Sequence, residues 1–565
     1  MSFSYLLLSA FLASFTGVGI ELILAKTFIM ISDQTVIWES LTLGLFMLSF
    51  GAGLILYPYL PKKEDVTRLL DLELILGFVT LVSLPLITLL YILFRAYIAE
   101  FRLEAQNSPP LHLFSFILSL QSLVTVIGLV CGLKLRLFIK LAENSRKNYA
   151  IVLAFYDFGA LISSLLFSLV SVRYSLLIST GILGCVLCAQ SYGLFFQLRN
   201  SCRIVPRYPI VVCTLAFASL FLLKNDSVLE QIFLKNFYYN QLSFKLEKGK
   251  VWQVGPIGLL DFYDFFRKTP SITRTWSPYQ VIDQVPSWNL LSEGKSKGSS
   301  ENFSLFINGH FQFSRESERS YHEFLAHVTL MLVEPRRVCA DDFVCPPQDV
   351  LILGAGDGLL ARELLKYGER IVSLRLIELD EDILQMAQRT PLSQMNEGSF
   401  LDKKLNWQKD DAWSWLKNST AQFDAIYADF PYPFDAESAR LYSVEFFHLV
   451  ASHVKPSGFF VFDGPIAKGG GLNIDNCIFI NSLYQAGFQS LRAFQASQET
   501  FLIALKASHF AESPRFVSPG FALQSVQPDW FQNQKHWQDL SRCESSALNS
   551  VFRPYTLRSQ DPIFY

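Results

Sequence analysis

The sequence predicts a multi-span α-helical membrane domain, then a small β-hairpin subdomain, then a Rossmann-like doubly wound α/β domain. Three observations carry this reading. Apolar runs of about 18 to 25 residues recur from Met1 to Leu223, long enough to cross a hydrocarbon core about 30 Å thick. The 565-residue chain is 51% hydrophobic, which is too apolar and too long for one soluble domain. Beyond Leu223 no such run returns, and LILGAGDGLL at 351–360 joins an apolar strand-like run to a Gly-rich turn and a helical segment.

Seven candidate spans make up a membrane domain over 1–224, near 4–31, 36–58, 73–98, 112–133, 149–171, 175–197 and 208–223. The first lacks the basic flank and small-residue cleavage site of a secretory signal, so it is read as a retained span. Lys and Arg gather at Lys62, Lys63 and Arg68, at Lys134, Arg136, Lys140, Arg146 and Lys147, and at Arg199, Arg203 and Arg207. These segments alternate as cytoplasmic loops should. Seven crossings would put the C-terminal half outside the cell, whereas six, or an added re-entrant segment, would keep it in the cytoplasm. Glu21 and Asp157 fall inside spans, where an ionised carboxylate costs about 2.5–3.5 kcal/mol unless it faces protein or water. Each either lines a polar pathway between helices or bonds to a neighbouring helix near an interface.

A net charge of −2 and the lack of a Lys/Arg stripe give no sign of a nucleic-acid partner. The nine cysteines show no metal-ligand spacing. Cys185 and Cys188 read as buried thiols in an apolar run, and Cys339 and Cys345 flank an acidic loop where pairing requires an oxidising compartment. His310 and His322 read as packing or hydrogen-bonding residues, since no second ligand stands at metal-site spacing. No metal is expected.

Residues 225–270 form a connector with an amphipathic helix in VLEQIFLKNFYYNQL. Region 271–335 is the small β-subdomain with the helix that leads out of it. It contains SPYQVIDQV (277–285) and FSLFINGHFQFS (303–314), separated by the Gly/Ser-rich, mobile stretch 291–304. The α/β domain spans 346–510, with strands in 351–353, 371–380, 423–430, 458–465 and 500–506, and a tail occupies 511–565. Acids sit at strand ends, at Asp357, Glu378, Asp380, Asp411 and Asp429, where a sheet of this kind binds ligands. Asp357 inside the Gly-rich turn would repel a phosphate. An adenosine derivative bearing a sulfonium or ammonium would suit it.

These motifs resemble the polyamine aminopropyltransferases, the spermidine synthase family, and the whole chain looks like the bacterial branch with a membrane-spanning N-terminal half. The likeness runs from Ser277 to Lys506 through SPYQ, INGHFQ, YHE, GAGDG, the strand ending at Glu378, DDA, DFPYP and LYSVEFF in order, and LNSVFRPY at 548–555 resembles the end of that branch. The resemblance implies transfer of an aminopropyl group from decarboxylated S-adenosylmethionine, as co-substrate, to an amine, with no permanently bound cofactor. It implies Asp429 as the base with Tyr321 beside the acceptor, and Asp357 on the donor's aminopropyl ammonium. Glu378 would take the ribose hydroxyls, Asp411 would stand on the adenine side, and Gly354 and Gly356 would form the donor turn. Gln280 falls at a donor-site position; Gln312, His322, Tyr432 and Asp435 fall on the acceptor side.

One departure concerns the acceptor. The family usually carries a second acid three residues after the base, and here that position is Tyr432; Asn308 likewise stands where an acid is frequent. Both weaken the case for putrescine, unless Asp435 reaches back to compensate. The implied partners are a small amine, the lipid bilayer and, as in soluble relatives, a second copy of the chain. The implied location is the bacterial inner membrane, multi-pass, with a cytoplasmic catalytic domain. The alternatives are a methyltransferase using intact S-adenosylmethionine, which Asp357 opposes, and a membrane transporter or sensor that binds polyamine without turnover.

Overall fold

The structure is a computed structural model. It describes residues 2–32, 35–61, 63–102, 109–170, 174–198, 207–246, 266–287, 302–333, 344, 346–433, 435–464, 474–496, 499–506, 510, 514–533, 536–544 and 547–556. Cys339, Cys345 and most of the Gly/Ser-rich stretch lie outside these residues. The chain forms two compact units divided between Lys297 and Gly298, inside the region assigned to the β-subdomain. One hairpin of that region belongs to each unit.

The N-terminal unit begins with α1 (Phe3–Ser32), α2 (Thr35–Leu56), α3 (Asp65–Arg102), α4 (Pro109–Asn144), α5 (Tyr149–Val170) and α6 (Leu176–Leu198). Among the described residues six helices are long and apolar enough to cross a membrane. The seventh expected span is different: α7 (Arg207–Lys224) and α8 (Asp226–Leu246) pass the same test only as a pair, bent by 66° between them. The unit closes with the hairpin of β1 (Thr273–Trp276) and β2 (Val281–Pro286).

Small residues set the closest helix contacts, as packing between apolar helices requires. A Cβ on Gly132 of α4 would collide with the Phe50 carbonyl of α2, and one on Gly159 of α5 with the Phe11 carbonyl of α1. Of the two acids expected inside spans, Glu21 is buried and Asp157 is exposed on the outer face of α5. The notable pair is another one. Glu73 of α3 and Lys134 of α4 form a fully buried ion pair. Lys134 was expected in a loop, but α4 runs on to Asn144 and carries it inside.

In the C-terminal unit, β3 (Phe303–Ile307) and β4 (His310–Ser314) form a hairpin. Its turn residues Asn308 and Gly309 both have positive φ, 51° and 86°, a conformation that an Asn-Gly pair adopts readily. Turn geometry therefore accounts for Asn308. A helical stretch follows through Glu318–Glu323, a wider π turn at Phe324–Val328, and Thr329–Val333.

The main sheet comprises β5 (Asp349–Gly354), β6 (Ser373–Glu378), β7 (Leu405–Lys409), β8 (Phe423–Asp429), β9 (Val454–Asp463), β10 (Ser490–Ala496), β11 (Glu499–Leu505) and β12 (Trp537–Leu540). Their order is β12-β10-β11-β9-β8-β5-β6-β7. Strands β5 to β9 are parallel and β10 to β12 antiparallel. Successive β5 residues feed two cores: Val350 and Ile352 join one, Leu351 and Leu353 the other. Both faces are thus covered, which is why this strand is an unbroken apolar run. The chain order reverses between β5 and β8, the crevice where such sheets bind ligands.

The tail is tied to this unit. The buried Asn549 side chain donates to the Ala439 carbonyl at 2.8 Å, and its own carbonyl accepts from Val444 N–H at 2.9 Å. The LNSVFRPY and LYSVEFF motifs are therefore one packed feature. Cys477 and Cys543 form a disulfide across 66 residues, a pairing absent from the sequence expectations.

Candidate active site

Backbone geometry at the end of β5 brings the crevice walls together. Gly354 has φ of 78°, and a Cβ there would strike the Asp429 carbonyl of the neighbouring strand. At Gly356 a Cβ would lie 2.5 Å from the Glu378 Cγ. Only glycine lets the turn sit this close to both strands.

Glu378, at the end of β6, accepts from Gly356 N–H at 3.1 Å and from Asp380 N–H at 2.8 Å. Burial pushes its carboxyl up to about 7 against the pull of these two donors. Asp357 accepts from Leu359 N–H at 2.8 Å. Burial raises it to about 6, the Asp429 charge adds to the rise, and His322 opposes it.

Asp429 ends β8 facing Tyr321, whose hydroxyl donates to Oδ1 at 2.9 Å. Burial raises Asp429, while His322 and the Tyr321 hydrogen bond pull it back. His322 Nε2 is 3.9 Å from Asp429 Oδ2, and Nδ1 meets the Glu318 carbonyl at 2.7 Å. Burial alone would lower the imidazole, but Glu318, Asp357 and Asp429 together hold its pKa above the ordinary value. His322 is therefore an electrostatic centre among these acids.

Behind it, Glu318 and Arg362 form a buried two-point ion pair at 2.9 Å for each contact, and Arg362 also donates to Glu363 at 2.8 Å. This network fixes the Tyr321–His322 turn to the helix Leu359–Leu365 that follows Asp357. The sequence reading missed it, although the alternating acids and bases at Glu318, Arg362 and Glu363 were visible.

The remaining expected residues divide. Asp411 caps the helix Ala412–Asn418 and meets Arg440 at 3.3 Å. Asp435 caps Ala436–Ala439, accepting from Ser438 N–H at 2.7 Å, so its carboxylate is occupied away from Tyr432. Gln312 on β4 donates to the His310 carbonyl at 3.2 Å, and Gln280 belongs to the N-terminal unit, where its carbonyl accepts from Ser277 N–H. Among the described residues no cluster suited to a metal occurs.

Tyr432 meets two acids the sequence reading did not assign to the site. Its hydroxyl lies 3.1 Å from both Asp463 oxygens and 2.8 Å from Glu499 Oε2. Asp463 ends β9, Glu499 begins β11, and the strands pair with Phe501 opposite Asp463. The Tyr321 hydroxyl lies 3.4 Å from Asp463 Oδ2. The buried Tyr442 holds the DFPYP turn with hydrogen bonds to the Phe430 and Pro431 carbonyls at 3.3 and 3.2 Å.

Residues 318–468 match the spermine/spermidine synthase domain. The polyamine aminopropyltransferase 2 of Ralstonia nicotianae is 28% identical over 465 residues, covering 81% of this chain and 78% of that one. The polyamine aminopropyltransferase of Leptospira interrogans is 28% identical over 450 residues, covering 78% and 75%. The polyamine aminopropyltransferase 1 of Streptomyces coelicolor is 39% identical over 155 residues, 27% of each chain. Among solved structures, the spermidine synthase of Thermotoga maritima aligns with a TM-score of 0.33 and 22% identity over 42% of this chain and 73% of that one. By this domain match and these long alignments, the chain is similar to the polyamine aminopropyltransferases and is a transferase.

Proposed function

We propose that the protein is a membrane-anchored, spermidine synthase-like aminopropyltransferase that uses decarboxylated S-adenosylmethionine as donor and an amine as acceptor. The observation that carries this reading is the Asp429–Tyr321 pair at the end of β8, beside Asp357 at the crevice between β5 and β8. The acceptor nitrogen gives its lone pair to the donor carbon next to sulfur. The carbon–sulfur bond breaks, its electron pair neutralises the sulfonium, and methylthioadenosine leaves. Only a neutral amine can attack, so the acceptor must yield a proton, and Asp429 is the base with Tyr321 orienting it. Asp357 holds the donor's ammonium and rejects the carboxylate of intact S-adenosylmethionine. Glu378 takes the ribose, with Gly354 and Gly356 admitting it; Asp411 completes the donor site, and Gln312 and His322 border the acceptor.

Six crossings, with α7 and α8 as a re-entrant pair, would leave the C-terminal unit in the cytoplasm of a bacterial inner-membrane protein. The 66° bend and the basic residues following the second, fourth and sixth spans support this arrangement. The test is release of methylthioadenosine from purified protein given donor and a panel of amines. Product from at least one amine, abolished in Asp429→Asn, is expected. No product from any amine would overturn the reading.

A further inference from the structure

We infer that α1, α3 and α4 enclose a pathway for protons through the N-terminal unit, with the Glu73–Lys134 pair as its central station. This rests on the reading of these helices as membrane spans and is independent of the transferase chemistry.

The pair itself is the first observation. Both side chains are fully buried, and beyond each other neither the Glu73 carboxylate nor the Lys134 ammonium has a hydrogen-bond partner among the described residues. A buried ion pair adds little stability unless its remaining lone pairs and protons are also satisfied, and apolar side chains of equal volume often serve as well. Ionisable groups held at membrane depth mark routes for ions or protons. This pair can pass one proton on. A proton reaches the Glu73 carboxylate, another leaves the Lys134 ammonium, and transfer from Glu73 to Lys134 restores the ion pair.

Titratable groups continue the line in both directions. Tyr5, partly exposed near the start of α1, lies within electrostatic reach of Glu73 and hydrogen-bonds Ser9. On the other side, the buried Cys131 stands one turn from Lys134 on α4 and interacts with Lys134, Glu73 and Glu21. Gly17 permits this approach: a Cβ there would lie 2.6 Å from the Cys131 Sγ, so α4 packs on α1 one turn before Glu21. From Tyr5 to Glu21, α1 rises about 24 Å, most of a hydrocarbon core about 30 Å thick.

Tyr156 of α5 flanks the line, within reach of Cys131 and Glu73 and bonded to Ser14. On α6, the Gln190 amide donates to the Ser9 carbonyl at 3.0 Å, while its Oε1 and the Ser191 hydroxyl are buried with no partner among the described residues. Such groups bind the ordered waters that join side chains into a proton chain. Helix contact as close as that at Gly17 suits a proton, which moves from group to group, better than a hydrated cation, which needs an open bore.

The test uses the full-length protein in lipid vesicles, with the pH dye pyranine inside and a potassium diffusion potential, negative inside, set by valinomycin. Acidification of the interior faster than in protein-free vesicles is expected, and Glu73→Gln should reduce it to their level. Glu21→Gln, outside the ion pair, should slow it, whereas Asp157→Asn, on the outer face of α5, should leave it unchanged. Dicyclohexylcarbodiimide couples to protonated carboxyls in apolar surroundings. It should block the native protein and be found on Glu73 or Glu21 by mass spectrometry, a readout that needs no variant to fold. Protein that survives an alkaline wash of the vesicles yet carries no more protons than bare lipid overturns the pathway and leaves the pair a clamp between α3 and α4. Equal flux in native protein and Glu73→Gln overturns it as well. Loss of the protein in the wash overturns the membrane reading itself.

Discussion

The Tyr321 hydroxyl donates to Asp429 Oδ1 at 2.9 Å, so the proposed base is held by the residue immediately before His322. That bond stabilises the ionised carboxylate and lowers a pKa that burial has raised. Tyr321→Phe should therefore raise the Asp429 pKa further. The acidic limb of kcat/KM is expected to move to higher pH, and a profile measured across this limb checks it. A shift to lower pH, or none, contradicts the proposed orientation. Asp429→Asn should cost about 10²–10⁴ in kcat, the usual worth of a positioned base.

Asp357 titrates at about 6 because burial favours its neutral form. Its folded-state pKa lies above the ordinary carboxylate value, so the charged form, proposed to attract the cationic donor, is present above pH 6 and lost below it. The KM for the donor should rise as pH falls through that value. Asp357→Asn should raise donor KM about ten- to a hundredfold at neutral pH and remove the dependence. Steady-state kinetics with donor varied at fixed amine reports both.

The Glu318–Arg362 pair is buried on both sides. Arg362→Met leaves the Glu318 carboxylate inside without its partner, and the expected cost is about 3–5 kcal/mol. The double variant Glu318→Gln with Arg362→Met should be milder than the single change, because Glu318 no longer carries a stranded charge and Glu363 keeps Lys366 at 2.6 Å. Urea unfolding of the three proteins decides it, and additive losses would contradict the coupling.

Cys477–Cys543 closes a long loop and holds the tail to the helix Ile474–Gln485. In purified protein, replacing both cysteines by serine should cost about 2–4 kcal/mol, seen as a lower urea midpoint. Equal midpoints would mean the bond is open in the protein.

Much of this was legible in the sequence because the responsible forces are local. Long apolar runs marked seven candidate spans, six of which are single helices long and apolar enough to cross a membrane, and the strand ending in Asp429 read correctly because its buried residues form a continuous apolar run. What escaped were features made by distant residues. β7 is exposed beyond Leu405 and β12 is a short edge strand, so neither carries an apolar signature. Lys134 read as a loop residue because its partner Glu73 sits on another helix. Asp463 ends a strand by the rule that found Asp429. Its meeting with Glu499 depends on the antiparallel pairing of β9 and β11, which no local pattern encodes.

If the six apolar helices cross a membrane, the bent α7–α8 pair decides the parity of the chain. An even count of crossings returns the C-terminal unit to the side where the N-terminus starts. With the basic loops inside, that side is reducing, and there Cys477 and Cys543 would be free thiols in living cells, closing only after lysis. Alkylation of intact cells before lysis then reads the topology: capped thiols mean α7–α8 turns back, and a bond already closed means the pair passes through and the enzyme works outside.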